Sequence, residues 1–343
     1  MHRRQLLRCL RSGLVLSSTA WAASPLLADD GDDRPVALLL PLTGPRAALG
    51  LSMRQAATLA ENDGKLIAFD TAGTPQGAAA AAARAVDRDA ALILGPLMSA
   101  DVAPVVGAAG TTPVIAFTND AAVRSSGAFV FGITAGQVTT AILGYARSRG
   151  VRSVAVIGDG SAWADAAAAE ADRLQGTLGM EARAITVRAD APLPLAGEAP
   201  DAVFVPGGGE TALAIARNLK PTGIQLLGTL EMIDHRPDAL EALDGAWIAS
   251  PDPRSFGGFA NNFQARHGGR PGAIAALAYD AANIAAKLRA ANRLDREGVL
   301  GSDGFSAVTG EVRFRTDGSV AREFAILEAA AGGYRKVATS RGA

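Results

Sequence analysis

One cysteine and three histidines in 343 residues leave little from which to build thiol or metal chemistry. That count excludes a disulfide framework, a zinc cluster and a Cys–His relay. Excess charge is missing too: 33 cations face 34 acids, a formal net charge of −1. A nucleic-acid binder needs a basic face to displace counterions from phosphates, and none is on offer. No G-x-x-x-x-G-K-[ST] loop, G-x-S-x-G elbow or carboxylate cluster with metal-ligand spacing occurs. Catalytic residues, cofactors and metal ligands are therefore all expected to be absent. What is present is a chain 49% hydrophobic and 20% charged, a globular composition. Its length suits two domains or one bilobed unit.

The first residues read as an export signal. Arg3, Arg4, Arg8 and Arg11 precede an apolar stretch from Gly13 to Ala20, and no acid occurs before Asp29. Basic start, short apolar segment and small-residue cleavage site are the order of a secretory leader, here residues 1–28, with cleavage after Ala22 or Ala28. Ser17, Ser18 and Thr19 interrupt the apolar stretch, which falls short of the ~18 residues that a membrane span requires. Arg3-Arg4-Gln5-Leu6-Leu7-Arg8 resembles a twin-arginine signal, although paired arginines also occur in ordinary leaders, so both routes stay open. Cleavage after Ala28 removes four arginines, no acid and Cys9, leaving 29 cations against 34 acids, a charge of −5. The expected product is a mildly acidic, cysteine-free periplasmic protein.

From residue 35 the pattern alternates strand and helix. Val36–Leu40, Leu66–Phe69, Ala91–Leu94 and Pro113–Phe117 read as buried parallel strands, separated by helices over Arg46–Glu61, Pro75–Arg88 and Ser99–Ala109. A second series begins near Thr134, with helices Gln137–Arg149, Ala162–Leu178 and Thr211–Leu219. Its strands are Ser153–Ile157, Ala182–Val187, Ala202–Val205 and Ile224–Leu227. Trp247–Ala249 then leads into helices Phe256–His267 and Ile274–Ala291, and the tail reads as strands Glu311–Phe314, Arg322–Glu328 and Tyr334–Val337. Two such series predict an α/β fold: two Rossmann-like lobes with parallel sheets and a ligand cleft between them.

Ligands of open parallel sheets bind beyond the carboxyl ends of the strands, so function belongs in the strand-to-helix turns. The most enzyme-like of these is Gly207-Gly208-Gly209-Glu210-Thr211-Ala212, in the spacing of a dinucleotide loop, with Glu231 placed 22 residues past Gly209. Pro206 alters the tight turn and no His or Lys is placed for hydride transfer. A glycine-rich turn opening a helix is the simpler reading, and a dinucleotide-dependent enzyme is a remote alternative. His235 and His267 read as structural. Ser99, after Gly95-Pro96, either caps a helix or joins free N–H groups facing a ligand. Thr118, Asn119 and Asp120 carry the same two readings. Trp163, in a polar turn of the second lobe, either covers a ligand or fills core.

Taken in order, VALLLPLTGPRAALG (36–50), DTAGTPQGAAAAA (70–82), ALILGPLMSADVAPV (91–105), TPVIAFTND (112–120), LLGTLEMID (226–234), RPGAIAALAYDAA (270–282) and TGEVRFRTDGSVAREFAILE (309–328) resemble the type I periplasmic binding proteins of the leucine/isoleucine/valine-binding class. The resemblance implies lobes over 34–134 plus 252–320 and 135–251 plus 321–343, joined by three crossovers near Thr134, Pro251 and Val320. It implies lobes that close on a small polar, amino-acid-like ligand, then deliver it to the membrane permease of an ABC importer. In such proteins a lobe-one Ser and the next loop's hydroxyl hold the ligand carboxylate, positions matched by Ser99 and Thr118–Asp120; the second lobe supplies an aromatic and an acid, matched by Trp163 and Glu231. Asp120 departs from that pattern, since a carboxylate would repel a ligand carboxylate. The wording ALLLPLTGP, DTAGTP and ILGPL is also similar to the carboxy-terminal domain of penicillin-binding protein activators, which implies a periplasmic peptidoglycan synthase as the alternative partner.

Overall fold

The computed structural model describes residues 32–61, 64–186 and 199–342. The export segment and Val187 lie outside them. β1 (Val36–Leu40) is the run VALLL, and every one of its residues is buried. Alternate side chains leave a strand on opposite faces. Val36, Leu38 and Leu40 accordingly join one apolar cluster, while Ala37 and Leu39 join another. A strand covered on both faces gains from burial on both, at roughly 25 cal/mol per Å² of apolar surface, which is why no polar residue interrupts it.

α1 (Ala47–Ala60), β2 (Leu66–Asp70), α2 (Pro75–Val86), β3 (Leu92–Leu94), α3 (Ser99–Ala109), β4 (Val114–Ala116) and β5 (Phe129–Val130) complete the first series. Its sheet is wholly parallel, in the order β2-β1-β3-β4-β5. α2 starts as its sequence suggests: Pro75 occupies the first turn, and the Thr74 side chain accepts a hydrogen bond from the Gly77 N–H. The small alanines 78, 81, 82 and 85 form its buried face, which with Val102 and Val105 of α3 covers one side of the sheet.

The second series is α4 (Ala135–Ser148), β6 (Ser153–Gly158), α5 (Ala162–Leu178), β7 (Glu181–Thr186), β8 (Ala202–Val205), α6 (Gly209–Leu219), β9 (Gln225–Thr229), α7 (Pro237–Leu243) and β10 (Trp247–Ser250). α8 (Pro253–His267), α9 (Ala273–Ala290) and the short α10 (Arg296–Val299) follow, then β11 (Val312–Phe314), β12 (Val320–Ala330) and β13 (Gly333–Arg341). The second sheet runs β11-β12-β10-β9-β8-β6-β7, with β13 also on β12. β6 to β10 are parallel, whereas β12 is antiparallel to β10, and β11 and β13 are antiparallel to β12. The protein is thus α/β with parallel sheets in two lobes and no closed barrel. β5 and α7 are additions to the sequence reading, because two residues of strand and one short helix are too brief to show a period.

Residues 131–134, 251–252 and 315–319, nearest the three expected crossovers, link β5 to α4, β10 to α8 and β11 to β12, and the last pair lie in the same sheet. One buried side chain ties the first and last of these passages. Arg322, 1% exposed, donates from Nη2 to the Phe131 carbonyl at 2.7 Å and lies over the Phe131 ring. Its Nη1 bonds the Thr309 hydroxyl, which donates to the buried Asp280 carboxylate of α9 at 2.6 Å. Asp280 also accepts from the N–H groups of Val308 and Thr309. Burial lowers the Arg322 pKa to about 10, with Asp280 opposing, and burial raises that of Asp280 against the bonds from Thr309.

Candidate functional site

Among the parallel strands of each sheet the order reverses once, between β1 and β3 in the first and between β6 and β8 in the second. Crevices beyond the carboxyl ends of strands at such reversals are where open α/β sheets take ligands. Each lobe therefore offers one wall, built from the turns after the two strands that flank its reversal and after the strands beside them.

On the first wall, Gly95 brings the β3–α3 turn against β1. Its φ is +111°, and a Cβ there would lie 2.3 Å from the Leu39 carbonyl oxygen, so only glycine fits. The helix that follows begins at Ser99 with Met98 as its cap, and no side chain caps it. Of the two readings of Ser99, the capping one is therefore not what the structure shows. In the first turn of this helix sits Asp101, 2% exposed. Among the described residues it has no hydrogen-bond donor and no ion pair; Arg46, in the β1–α1 turn, is the charge that acts on it. Burial pushes the Asp101 carboxyl above its ordinary pKa, and Arg46 pulls the other way.

The neighbouring turns of this wall are bound up internally. Asp70, at the end of β2, accepts from the N–H groups of Leu42, Thr43 and Ala72 and from the Thr43 hydroxyl. Burial would raise its pKa, but those bonds outweigh it and hold the carboxyl below the usual range. Thr118 is buried and accepts at Oγ1 from the Asp120 N–H, and Asp120 accepts from the Ala122 N–H to cap a 3₁₀ turn. Asn119 and Asp120 are exposed. The Thr118 hydroxyl keeps its proton to donate.

The second wall closes on itself. The Trp163 indole Nε1 donates to the Pro206 carbonyl at 3.0 Å, which the Thr229 hydroxyl also reaches at 2.6 Å. Thr229 Oγ1 in turn accepts from the Glu231 N–H. Gly208 is what lets these turns meet, because a Cβ there would lie 1.8 Å from the Glu231 carbonyl oxygen. Close packing between turns thus accounts for the middle glycine of Gly207-Gly208-Gly209. Between this loop and Asp159 remains a cavity of 10 Å³, about the room of one water. Arg236 pairs with Asp234 and Glu210 at 2.8 Å each. Ser161 holds the Asp159 carboxyl below its usual pKa. Glu231 itself is exposed.

The structure therefore places Ser99, Thr118, Asn119 and Asp120 on one wall and Trp163 and Glu231 on the other. Sequence reading missed Asp101 and Arg46. The available signal was an acid in the first turn of a helix that follows a Gly-Pro turn. His235 packs edge-on to Tyr334, and His267 packs against Phe263. Among the described residues no group of three His, Cys, Asp or Glu is placed to hold a metal ion.

The sequence profile of the periplasmic binding protein family matches residues 35–334. No curated protein matches the sequence. Among solved structures, a protein of Rhodospirillum rubrum assigned to a branched-chain amino acid ABC transporter superposes with a TM-score of 0.78 at 20% identity, over 89% of this chain and 100% of the other. The branched-chain amino acid substrate-binding protein LivJ of Streptococcus pneumoniae, solved with isoleucine, gives 0.58 at 18%, over 90% and 99%. The C-domain of LpoA from Haemophilus influenzae, a regulator of PBP1A, gives 0.73 at 15%, over 89% and 100%.

Proposed function

The chain belongs to the periplasmic binding protein family, and from that premise we propose that it is a non-enzymatic periplasmic protein that holds a small polar solute between its lobes and presents it to the permease of an ABC importer. The lobes are 34–134 plus 252–320 and 135–251 plus 321–343. One observation supports the reading: the parallel strands of each sheet reverse order once, where open α/β sheets take ligands, with Ser99 and Asp101 uncommitted beside the first reversal. Ser99, Thr118 and Asn119 contact the solute from one side; Trp163 and Glu231 do so from the other. Asp120 sets the charge beside them. Closure about the three passages traps the solute, a hinge motion of packed units.

A binding protein is stabilised by what it binds, by about 2.7 kcal/mol when the ligand stands at 100 times its Kd. Thermal melts against amino acids, amides, amines and peptidoglycan fragments should give at least one clear upward shift. No shift across the panel overturns the reading. The second reading, contact with a peptidoglycan synthase, is favoured by a different observation: the Thr118–Asp120 turn, where a ligand carboxylate would sit, is bonded to itself and acidic. Retention of a synthase's periplasmic domain on the immobilised protein supports it, and no retention dismisses it.

A further inference from the structure

An ionised carboxylate buried without donors is costly, so folded proteins pair it or let it take up a proton. Asp280 follows that rule, with three bonds to its oxygens. Asp101 does not. It is 2% exposed, and among the described residues no N–H, hydroxyl or cation lies within bonding distance. Its place is the first turn of α3, beside the β1–α1 turn that carries Arg46, which is the reversal of strand order where the first sheet takes a ligand. Its oxygens are not among the sealed, partnerless polar atoms, so a donor can reach them.

Arg46 is the only charge that acts on Asp101 directly, and acids mark the turns around it. Asp120 stands on the same wall, and Asp159 and Glu231 stand at the turns of the opposite one. Each of these three is exposed. Arg46 is an exposed side chain and makes no ion pair with Asp101. A solute that put a carboxylate against the first wall would meet Asp101 and Asp120 at once. A solute with a cationic head would supply the donor that Asp101 lacks, and closing the second wall would bring further acids toward the same charge. Ser99, whose hydroxyl caps nothing, lies at the start of the same helix.

We propose that Asp101 is the anchor of a cation subsite in the first wall, and that the solute carries an amine or guanidinium group set apart from any carboxylate, as in a polyamine or a basic side chain, seated there. This rests on the solute-binding reading above and names the chemical class of its ligand. Arg46 is the competing cation that a bound solute displaces from its influence on Asp101.

The test is calorimetric titration of the purified protein with spermidine, arginine, leucine and glutamate, repeated on Asp101→Asn and Arg46→Ala. Spermidine or arginine should bind, at least tenfold more tightly than leucine or glutamate. Asp101→Asn, close in shape, should cost tenfold or more, whereas Arg46→Ala should tighten binding severalfold. Binding of leucine or glutamate in preference, or cation affinity indifferent to Asp101→Asn, overturns the cation subsite and leaves solute binding standing. Failure of all four probes, with the thermal panel also silent, overturns both.

Discussion

The two walls of the cleft are built on the same plan and finished differently. Each lies at the one place where the parallel strands of its sheet reverse order, and each is framed by strand-to-helix turns. In the second lobe the crevice is filled from within: Trp163 and Thr229 both bond the Pro206 carbonyl, and Gly208 admits the Glu231 backbone. In the first lobe an acid of the same crevice is buried with no partner, and the serine beside it caps nothing. The comparison is the ground for the proposal that the first wall recognises the solute and the second closes over it.

The largest expected effect lies at the joint that keeps the walls apart. Arg322→Ala removes the bond to Phe131 and leaves Asp280 buried without its cation, which should lower unfolding stability by about 4 kcal/mol, read by urea melts. A change within 1 kcal/mol would mean that the passages do not depend on it. Trp163→Ala should cost about 3 kcal/mol, through lost packing and the loss of one of the two bonds to the Pro206 carbonyl, which Thr229 still reaches. If the second wall is support rather than recognition, most of its effect appears in the melt, with a smaller one on affinity.

Asp70→Asn should cost about 2 kcal/mol, because four donors in the β1 and β2 turns lose a charged acceptor. The sign with pH follows from its lowered pKa. Stability from Asp70 is present above the ordinary carboxylate range and is lost as pH falls through the folded value. Asp159 has the same sign. Wild-type stability should therefore fall on acidification below about pH 4, and less of that fall should remain in Asp70→Asn. A wild type equally stable at pH 3 and pH 6 would contradict this.

The smallest stability effect is the most informative. Asp101→Asn removes an unpaired buried charge, so the empty protein should be unchanged or more stable by about 1 kcal/mol. Loss of stability would show that the residue has a structural partner and end the contrast between the walls.

Much of this architecture is legible in the sequence, for physical reasons. VALLL can only be a strand covered on both faces, and Ala162–Leu178 has both a serine cap and a glycine stop, so its helix matches to the residue. The tail strands are longer than they read, Val320–Ala330 against Arg322–Glu328, because pairing on three neighbours extends them past their apolar centre. α7 was missed because seven residues carry too little period. The site was less legible. Ser99, Thr118 and Trp163 are picked out by turn position, but a hydroxyl that caps and one that does not are the same letter. Asp101 reads as an ordinary first-turn acid of a helix, and only burial without a partner sets it apart.

The measurement that tests the account most directly is the paired titration and melt of Asp101→Asn against wild type. The account predicts a cationic solute bound by wild type, at least tenfold weaker binding in the variant, and a melt that is unchanged or raised. Equal affinity together with a lowered melt would contradict it, making Asp101 part of the fold and not of the site.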